Sequence, residues 1–242
     1  MTLLRGDALS EAFDHGSAAY DRLVSASPGY HAHLRRSARR LGLPEEGRGL
    51  RVLDLGCGTG ASTAALLAAA PRARITGVDA SAGMLDRATA KTWPQGVDFA
   101  HHPVEELAGR LEAGSFDAVF AGYLFRNLTD PDAALDMVHG LLVPGGRLAV
   151  HEYALCGSPV HRALWSAVCS LIIQPAGRLA GDADLYRHLR VSVTRFDTAP
   201  AFAQRLRRAG FADVRVLPLP GWQTGITHTF VGRTPAGSGV QA

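Results

Sequence analysis

Leu53-Asp54-Leu55-Gly56-Cys57-Gly58-Thr59-Gly60-Ala61 decides how this chain is read. The run that leads into it, RVLDLG (51–56), is short and apolar and reads as a buried strand. The residues that follow it, Ala61 to Ala70, are alanine-rich and read as a helix stopped by Pro71. Glycines 56, 58 and 60 fill the turn between them. There the backbone can turn sharply and approach a ligand with no Cβ in the way.

Working outward, the alternation continues. RITGVD (74–79), VDFAH (97–101), FDAVFA (116–121) and GRLAVHE (146–152) read as strands. Helices are predicted from Ser81 or Ala82 to Lys91 and from Asp132 to Leu142. Apolar strands alternating with helices imply parallel β-α-β units with right-handed crossovers. After Glu152 the pattern changes: Ser158 to Ser192 is mostly helical, followed by a helix from Ala199 to Ala209 and strands at Phe211–Leu217 and Ile226–Gly232. The link between those two strands is too short for a crossover helix, so they must pair antiparallel. Upstream, Ser10 to Leu41 reads as helical with a break at Ser27-Pro28-Gly29, before a turn cluster from Gly42 to Gly49. The expected fold is therefore α/β and Rossmann-like: a seven-stranded, mostly parallel sheet with one antiparallel edge strand. An N-terminal helical cap (1–48) precedes the sheet domain (49–233). A helical insert (about 156–195) follows the fifth strand, at the sheet end where ligands bind in open α/β folds. A loose tail (234–242) ends the chain.

The bulk composition narrows the function. At 242 residues, 47% hydrophobic and 19% charged, the chain can bury one sizeable core and is far from disorder. Its three cysteines, Cys57, Cys156 and Cys169, include no CxxC pair, so neither a disulfide framework nor a zinc site is expected, and a reducing cytoplasm fits. The first residues hold no apolar run of signal-peptide length. The longest apolar stretch, about Ala163 to Ile173, is too short for a bilayer. A net charge of +3, nearly all from arginine, does not suggest a nucleic-acid partner. No metal is expected, since the adjacent His101 and His102 would point to opposite faces of a strand.

Gly56, Gly58 and Ala61 also satisfy a dinucleotide fingerprint, so a nicotinamide-dependent oxidoreductase has to be weighed. Asp54 speaks against it. A carboxylate beside the glycine turn repels a pyrophosphate but suits S-adenosylmethionine (SAM), whose ammonium and sulfonium are cationic. Asp79, at the end of the second strand, can accept both hydroxyls of an adenosine ribose, and Pro144-Gly145-Gly146 has no role in nicotinamide binding.

VLDLGCGTG, GVDASAGML, FDAVFAGYLFRNLTDPDAAL and LLVPGGRLAVHEY, in that order, resemble the motifs of class I SAM-dependent methyltransferases. Phe125-Arg126-Asn127-Leu128-Thr129-Asp130 is similar to the narrower "LRNVxD" signature of the UbiE/COQ5 (MenG) quinone C-methyltransferases. Phe13-Asp14…Tyr20-Asp21, Tyr186 to Ser192, and Gly210-Phe211 with Thr224-Gly225-Ile226…His228 resemble further segments of that family. The resemblance implies a methyl transfer from SAM to a small apolar or aromatic acceptor, most naturally a ring carbon of a demethylmenaquinol-type isoprenoid quinol. A tailoring C- or O-methyltransferase of secondary metabolism and a non-catalytic SAM-binding protein stand as alternatives.

The resemblance also implies roles. Asp54, Gly56, Gly58 and Thr59 would hold the methionyl end of SAM, and Asp79 with Ala80 the ribose. Met84 would pack on the adenine. Pro103 and Val104 would border it, with the Val104 backbone reading the ring because Pro103 departs from the family's Asp or Asn. Tyr123, after the fourth strand, joins this set and is expected to line the acceptor pocket. Arg126 is expected to stabilise a phenolate and Asn127 to position it, with His151, Tyr153 and His188 as candidate proton acceptors. The apolar stripe Leu164, Trp165, Val168, Leu171, Ile172 and Ile173 reads either as sheet packing or as a lid for an isoprenoid chain. Arg35, Arg36, Arg39 and Arg40 suggest peripheral membrane contact, and a homodimer is left open.

Overall fold

The computed structural model describes residues 4–6, 8–14, 29–175 and 183–237. Tyr20 and Asp21 of the N-terminal motif lie outside the described residues, as do 238–242 of the tail.

Seven strands form one sheet: β1 (Arg51–Leu55), β2 (Arg74–Asp79), β3 (Val97–His101), β4 (Phe116–Gly122), β5 (Leu142–Tyr153), β6 (Ala212–Pro218) and β7 (Thr227–Arg233). Their order is β3-β2-β1-β4-β5-β7-β6. β1 to β5 pair parallel, while β7 runs antiparallel to both β5 and β6. The one reversed strand is thus β7, and the edge position is taken by β6, the other arm of the predicted hairpin. β5 begins at Leu142, four residues earlier than its sequence pattern suggests, because Phe116 of β4 already pairs with Leu142 across a bulge.

Helix α1 spans residues 8–14. It is followed by α2 (Tyr30–Arg39), α3 (Ala61–Ala69), α4 (Ala82–Thr89), α5 (Pro131–Leu141), α6 (Pro159–Val168), α7 (Ala183–Arg195) and α8 (Ala199–Arg208). Alternate strand residues feed two cores, as the two-residue period of a strand requires. Leu53, Leu55, Val119 and Ala121 face α5 and α8. Val52, Ile75, Ala118 and Phe120 face α2 and α3. Each fully buried Leu or Phe removed from water contributes about 1.5–3 kcal/mol.

Three helices, α4, α5 and α6, begin where a side chain satisfies free N–H groups. Asp130 accepts from the N–H groups of Asp132 (3.1 Å) and Ala133 (3.0 Å), with Pro131 in the first turn. Ser81 accepts from Met84 N–H at 3.1 Å and starts α4.

After β5, α6 passes into a π-helical turn (Cys169–Ile173). The insert and its neighbours bury Trp165, Cys169 and Val193 against Leu155 and Ile226, with Tyr153 alongside. Trp165 of the apolar stripe is therefore core, whereas Leu164 and Leu171 stay exposed. Among the described residues no helix is long and apolar enough to cross a membrane.

The expected loose tail is corrected at its start. Thr234 is buried; its N–H donates to Gly146 O (3.0 Å) and its hydroxyl to Val143 O (2.7 Å). Gly145 N–H donates to Pro235 O (3.2 Å). The Pro-Gly-Gly turn offers backbone groups that the sheet does not pair, and these residues pair them.

Candidate active site

The C-terminal ends of β1, β2, β4 and β5 meet at one edge of the sheet. The three loop glycines all have positive φ, at 71°, 54° and 86° for 56, 58 and 60, but they serve different ends. A Cβ at Gly56 would lie 2.9 Å from Leu124, and one at Gly60 2.7 Å from Trp93. A Cβ at Gly58 would meet nothing within 4 Å. Gly56 and Gly60 are closed over by packing, so Gly58 is the residue that borders open space.

Asp54 is fully buried beneath this loop. One carboxylate oxygen accepts from Ser62 (2.8 Å) and Thr63 (2.6 Å), while Oδ1 has no hydrogen-bond partner. Burial pushes its pKa up to about 7, against the two hydroxyl donors that pull it down. Asp79 accepts from Gly58 N–H (2.7 Å) and Ser81 N–H (2.9 Å), which locks the glycine loop to the end of β2. Its pKa is also raised by burial, against those same N–H donors. A buried carboxylate with an unsatisfied oxygen, under a loop open at Gly58, fits a cationic ligand group.

Asp14 reaches this same turn. It accepts from Ser81 Oγ and, at 2.9 Å, from Gly83 N–H, and so ties α1 to the start of α4. Met84 is buried behind that turn. Val104 is buried and opens a 3-10 turn (Val104–Glu106) directly after Pro103, and the His101 ring bonds Ala80 O at 2.9 Å. Thr59 is buried, and its carbonyl accepts from Lys91 Nζ at 2.7 Å.

Across the loop stands an aromatic cluster around Tyr123. Tyr30 stacks on it (5.7 Å between centroids, 15°), Tyr153 lies 4.7 Å away, and the His151 ring meets it edge-on at 4.5 Å. Tyr123 holds φ +58°, a left-handed conformation that side chains rarely adopt, and its N–H donates to His151 O at 2.7 Å. The strained turn swings the next residues under the ring. The Arg126 guanidinium sits 5.5 Å from both the Tyr123 and Tyr153 rings. It donates to Tyr123 O (2.6 Å) and to Glu152 Oε1 (2.7 Å), and its own N–H donates to Glu152 Oε2 (3.2 Å). Both side chains are buried. Burial raises the Glu152 pKa, against the Arg126 charge, which favours the carboxylate.

Asn127 donates to Tyr123 O (3.1 Å), and its carbonyl oxygen meets His188 Nε2 at 3.0 Å. Burial lowers the His188 pKa to about 4 and that of His151 to about 3, so both rings are neutral near pH 7. His151 is fully buried, with Nδ1 bonded to Ser37 Oγ at 2.8 Å. A ring held neutral by burial can accept a hydrogen bond and orient its neighbours.

The structure thus gathers Asp54, Gly58 and Asp79 at one wall and Tyr123, Arg126, Asn127, Tyr153 and His188 at the other. Sequence reading missed Glu152 and Tyr30. The signal for Glu152 was an acidic residue at the end of an otherwise apolar strand next in line to the one that Arg126 follows; Tyr30 left none.

This fold recurs in solved structures. A SAM-dependent methyltransferase from Thermotoga maritima, described as a possible histamine N-methyltransferase, matches with TM-score 0.66 at 20% identity, over 93% of this chain and 99% of that one. The [4+2]-cyclase SpnF matches with TM-score 0.70 at 17% identity, over 98% of each chain. Fold and glycine loop together define a Rossmann-like α/β protein. Sequence comparison is narrower. The model of the ubiE/COQ5 methyltransferase family matches residues 1–232, and a demethylmenaquinone methyltransferase of Clavibacter sepedonicus is 32% identical over 95% of this chain and 91% of its own. This chain belongs to the ubiE/COQ5 methyltransferase family and is a SAM-dependent methyltransferase. The nicotinamide reading falls with that finding.

Proposed function

We propose that this enzyme methylates a ring carbon of a demethylmenaquinol-type quinol. The observation that carries the reading is the buried Arg126–Glu152 pair beneath the Tyr123 and Tyr153 rings, with Tyr30 stacked on Tyr123, a cationic group under an apolar aromatic wall. A flat, apolar phenolic ring fits such a wall. Bound SAM supplies a methyl group already activated on sulfur. Asp54 is assigned to its ammonium, Asp79 and Ala80 to the ribose, and Met84 with the Val104 backbone to the adenine, with Pro103 shaping that turn.

An aromatic carbon becomes nucleophilic when the neighbouring hydroxyl gives up its proton to solvent as the quinol binds, and the carbon that takes the methyl loses its own proton to solvent afterwards. Arg126 stays charged at any working pH and stabilises the resulting phenolate. Glu152 holds the guanidinium in place, Asn127 links it to His188, and the aromatic side chains exclude water. His151 and His188 act as neutral positioning groups, and Tyr153 contributes the ring nearest the guanidinium together with Tyr123.

The test uses SAM with an isotopically labelled methyl and chemically reduced demethylmenaquinone in mild detergent. Label on the quinol ring, lost in Asp79→Ala, is the expected result. Bound SAM with no label on the quinol would overturn the acceptor assignment in favour of a tailoring enzyme, and a panel of phenols would then identify its substrate.

A further inference from the structure

The opposite end of the sheet carries a second concavity. It is a cleft of about 450 Å³ between the end of α2 and the strands β5, β7 and β6. Four arginines line it: Arg40, Arg147, Arg215 and Arg233; the one acidic residue among the lining is Asp213.

Strand register explains the convergence. Arg147 and Arg233 are direct cross-strand partners, and Arg215 pairs with Val231, two residues before Arg233. Side chains two apart on a strand share a face. Val231 and Leu217 pack in the core against α2, so the three arginines continue that same face past the point where α2 ends. Like charges directly opposite each other in a sheet repel. Here no ion pair offsets that repulsion: among the described residues, none of the four arginines has a carboxylate within ion-pair distance. Arg147 instead donates to the carbonyls of Leu41 (2.9 Å) and Gly42. Arg40 donates to Leu217 O (2.9 Å), Pro218 O (2.9 Å) and Thr229 Oγ1 (2.7 Å). These bonds fix the direction of two guanidinium groups and leave their charge unmatched. Burial and the neighbouring Arg233 both lower the pKa of Arg147, which is the cost of the arrangement.

Arg147 precedes His151 by four residues, roughly 13 Å along a strand, so this cleft is separate from the methyl-transfer site. Its volume falls in the range of small-ligand pockets, roughly 300–1,000 Å³. Arginine forks match phosphate oxygens in pairs.

We propose that this arginine cleft is a binding site for a phosphate-bearing anion. The phosphate is either that of a soluble ligand or the headgroup of an anionic lipid, since the recognising chemistry is the same.

The test compares the full chain with R215S/R233S, both exposed positions, and with R72S/R110S, which removes equal charge at two exposed arginines elsewhere. The probes are inorganic phosphate, by calorimetry, and vesicles of phosphatidylcholine with or without phosphatidylglycerol, by flotation. The proposal expects binding of phosphate or of anionic vesicles that falls at least tenfold in R215S/R233S and is unchanged in R72S/R110S. Vesicle binding displaced by phosphate assigns a headgroup; phosphate binding without vesicle binding assigns a soluble ligand. Equal losses in both variants, or no binding of either probe by the unaltered chain, would overturn the site.

Discussion

Asp54→Asn tests the electrostatics of the wall assigned to the cofactor. In the folded chain burial lifts the Asp54 pKa from 3.8 to about 7. A carboxyl with a raised folded pKa binds more protons folded than unfolded between those two values. Stability therefore falls as pH rises through that window and is fully reduced above it. A shift of about three units corresponds to about 4 kcal/mol, an upper bound for a group with two hydroxyl donors. Asparagine does not titrate. It keeps an oxygen for Ser62 and Thr63 and places an amide nitrogen at the unpartnered Oδ1 position, a cost that does not depend on pH. The stability difference between the variant and the parent should therefore move in the variant's favour by as much as about 4 kcal/mol from pH 4 to pH 8, or roughly 10 °C in midpoint for a chain this size. Thermal unfolding by circular dichroism across that range measures it. The same logic makes SAM affinity rise with pH up to about 7, with one proton released on binding, and removes that dependence in the variant. Parallel pH profiles for the two proteins would refute the reasoning.

Glu152→Gln leaves Arg126 buried without its counter-charge and should lower stability by about 3–5 kcal/mol, whereas the double change Arg126→Met/Glu152→Leu should recover most of the loss while abolishing methyl transfer; urea unfolding beside the labelled-methyl assay separates the two effects. Gly60→Ala puts a Cβ 2.7 Å from Trp93 at φ +86°, so it should cost at least about 1–2 kcal/mol. Adding Trp93→Ala should relieve the clash but not the backbone strain, so SAM binding measured calorimetrically should stay impaired in Gly60→Ala/Trp93→Ala.

Much of the architecture was legible along the chain because it is written in local periods. VDFAH is observed as a strand over Val97–His101, and RITGVD over Arg74–Asp79, both as predicted. The helix after the glycine loop ends one residue short of its prediction, at Ala69. Asp54, Gly58 and Asp79 were legible for a related reason: a strand, a tight turn and a helix fix where a loop residue stands before any distant contact is made. The strand reversal was legible too, because the eight residues from Pro218 to Gly225 are too few for a crossover helix. Its place in the sheet order was not, since inserting β7 between β5 and β6 depends on which edges remain unpaired.

What only the tertiary structure decided is what joins residues far apart in sequence. Glu152 reaches Arg126 because β5 lies beside β4 and both strands end at the same rim. Asp14 reaches Ser81 and Gly83 because α1 folds back over the second turn. The four arginines of the cleft look in sequence like scattered surface charge, and Arg40 like one of a helical cluster. The sheet's register turns three of them onto one face, and the end of α2 supplies the fourth. The sequence by itself determined the elements and the glycine loop, since propensity and period act over a few residues. Tertiary structure decided which charges are paired, which are left unpaired and which histidines stay neutral, because those depend on burial and on partners that only the assembled sheet brings within reach.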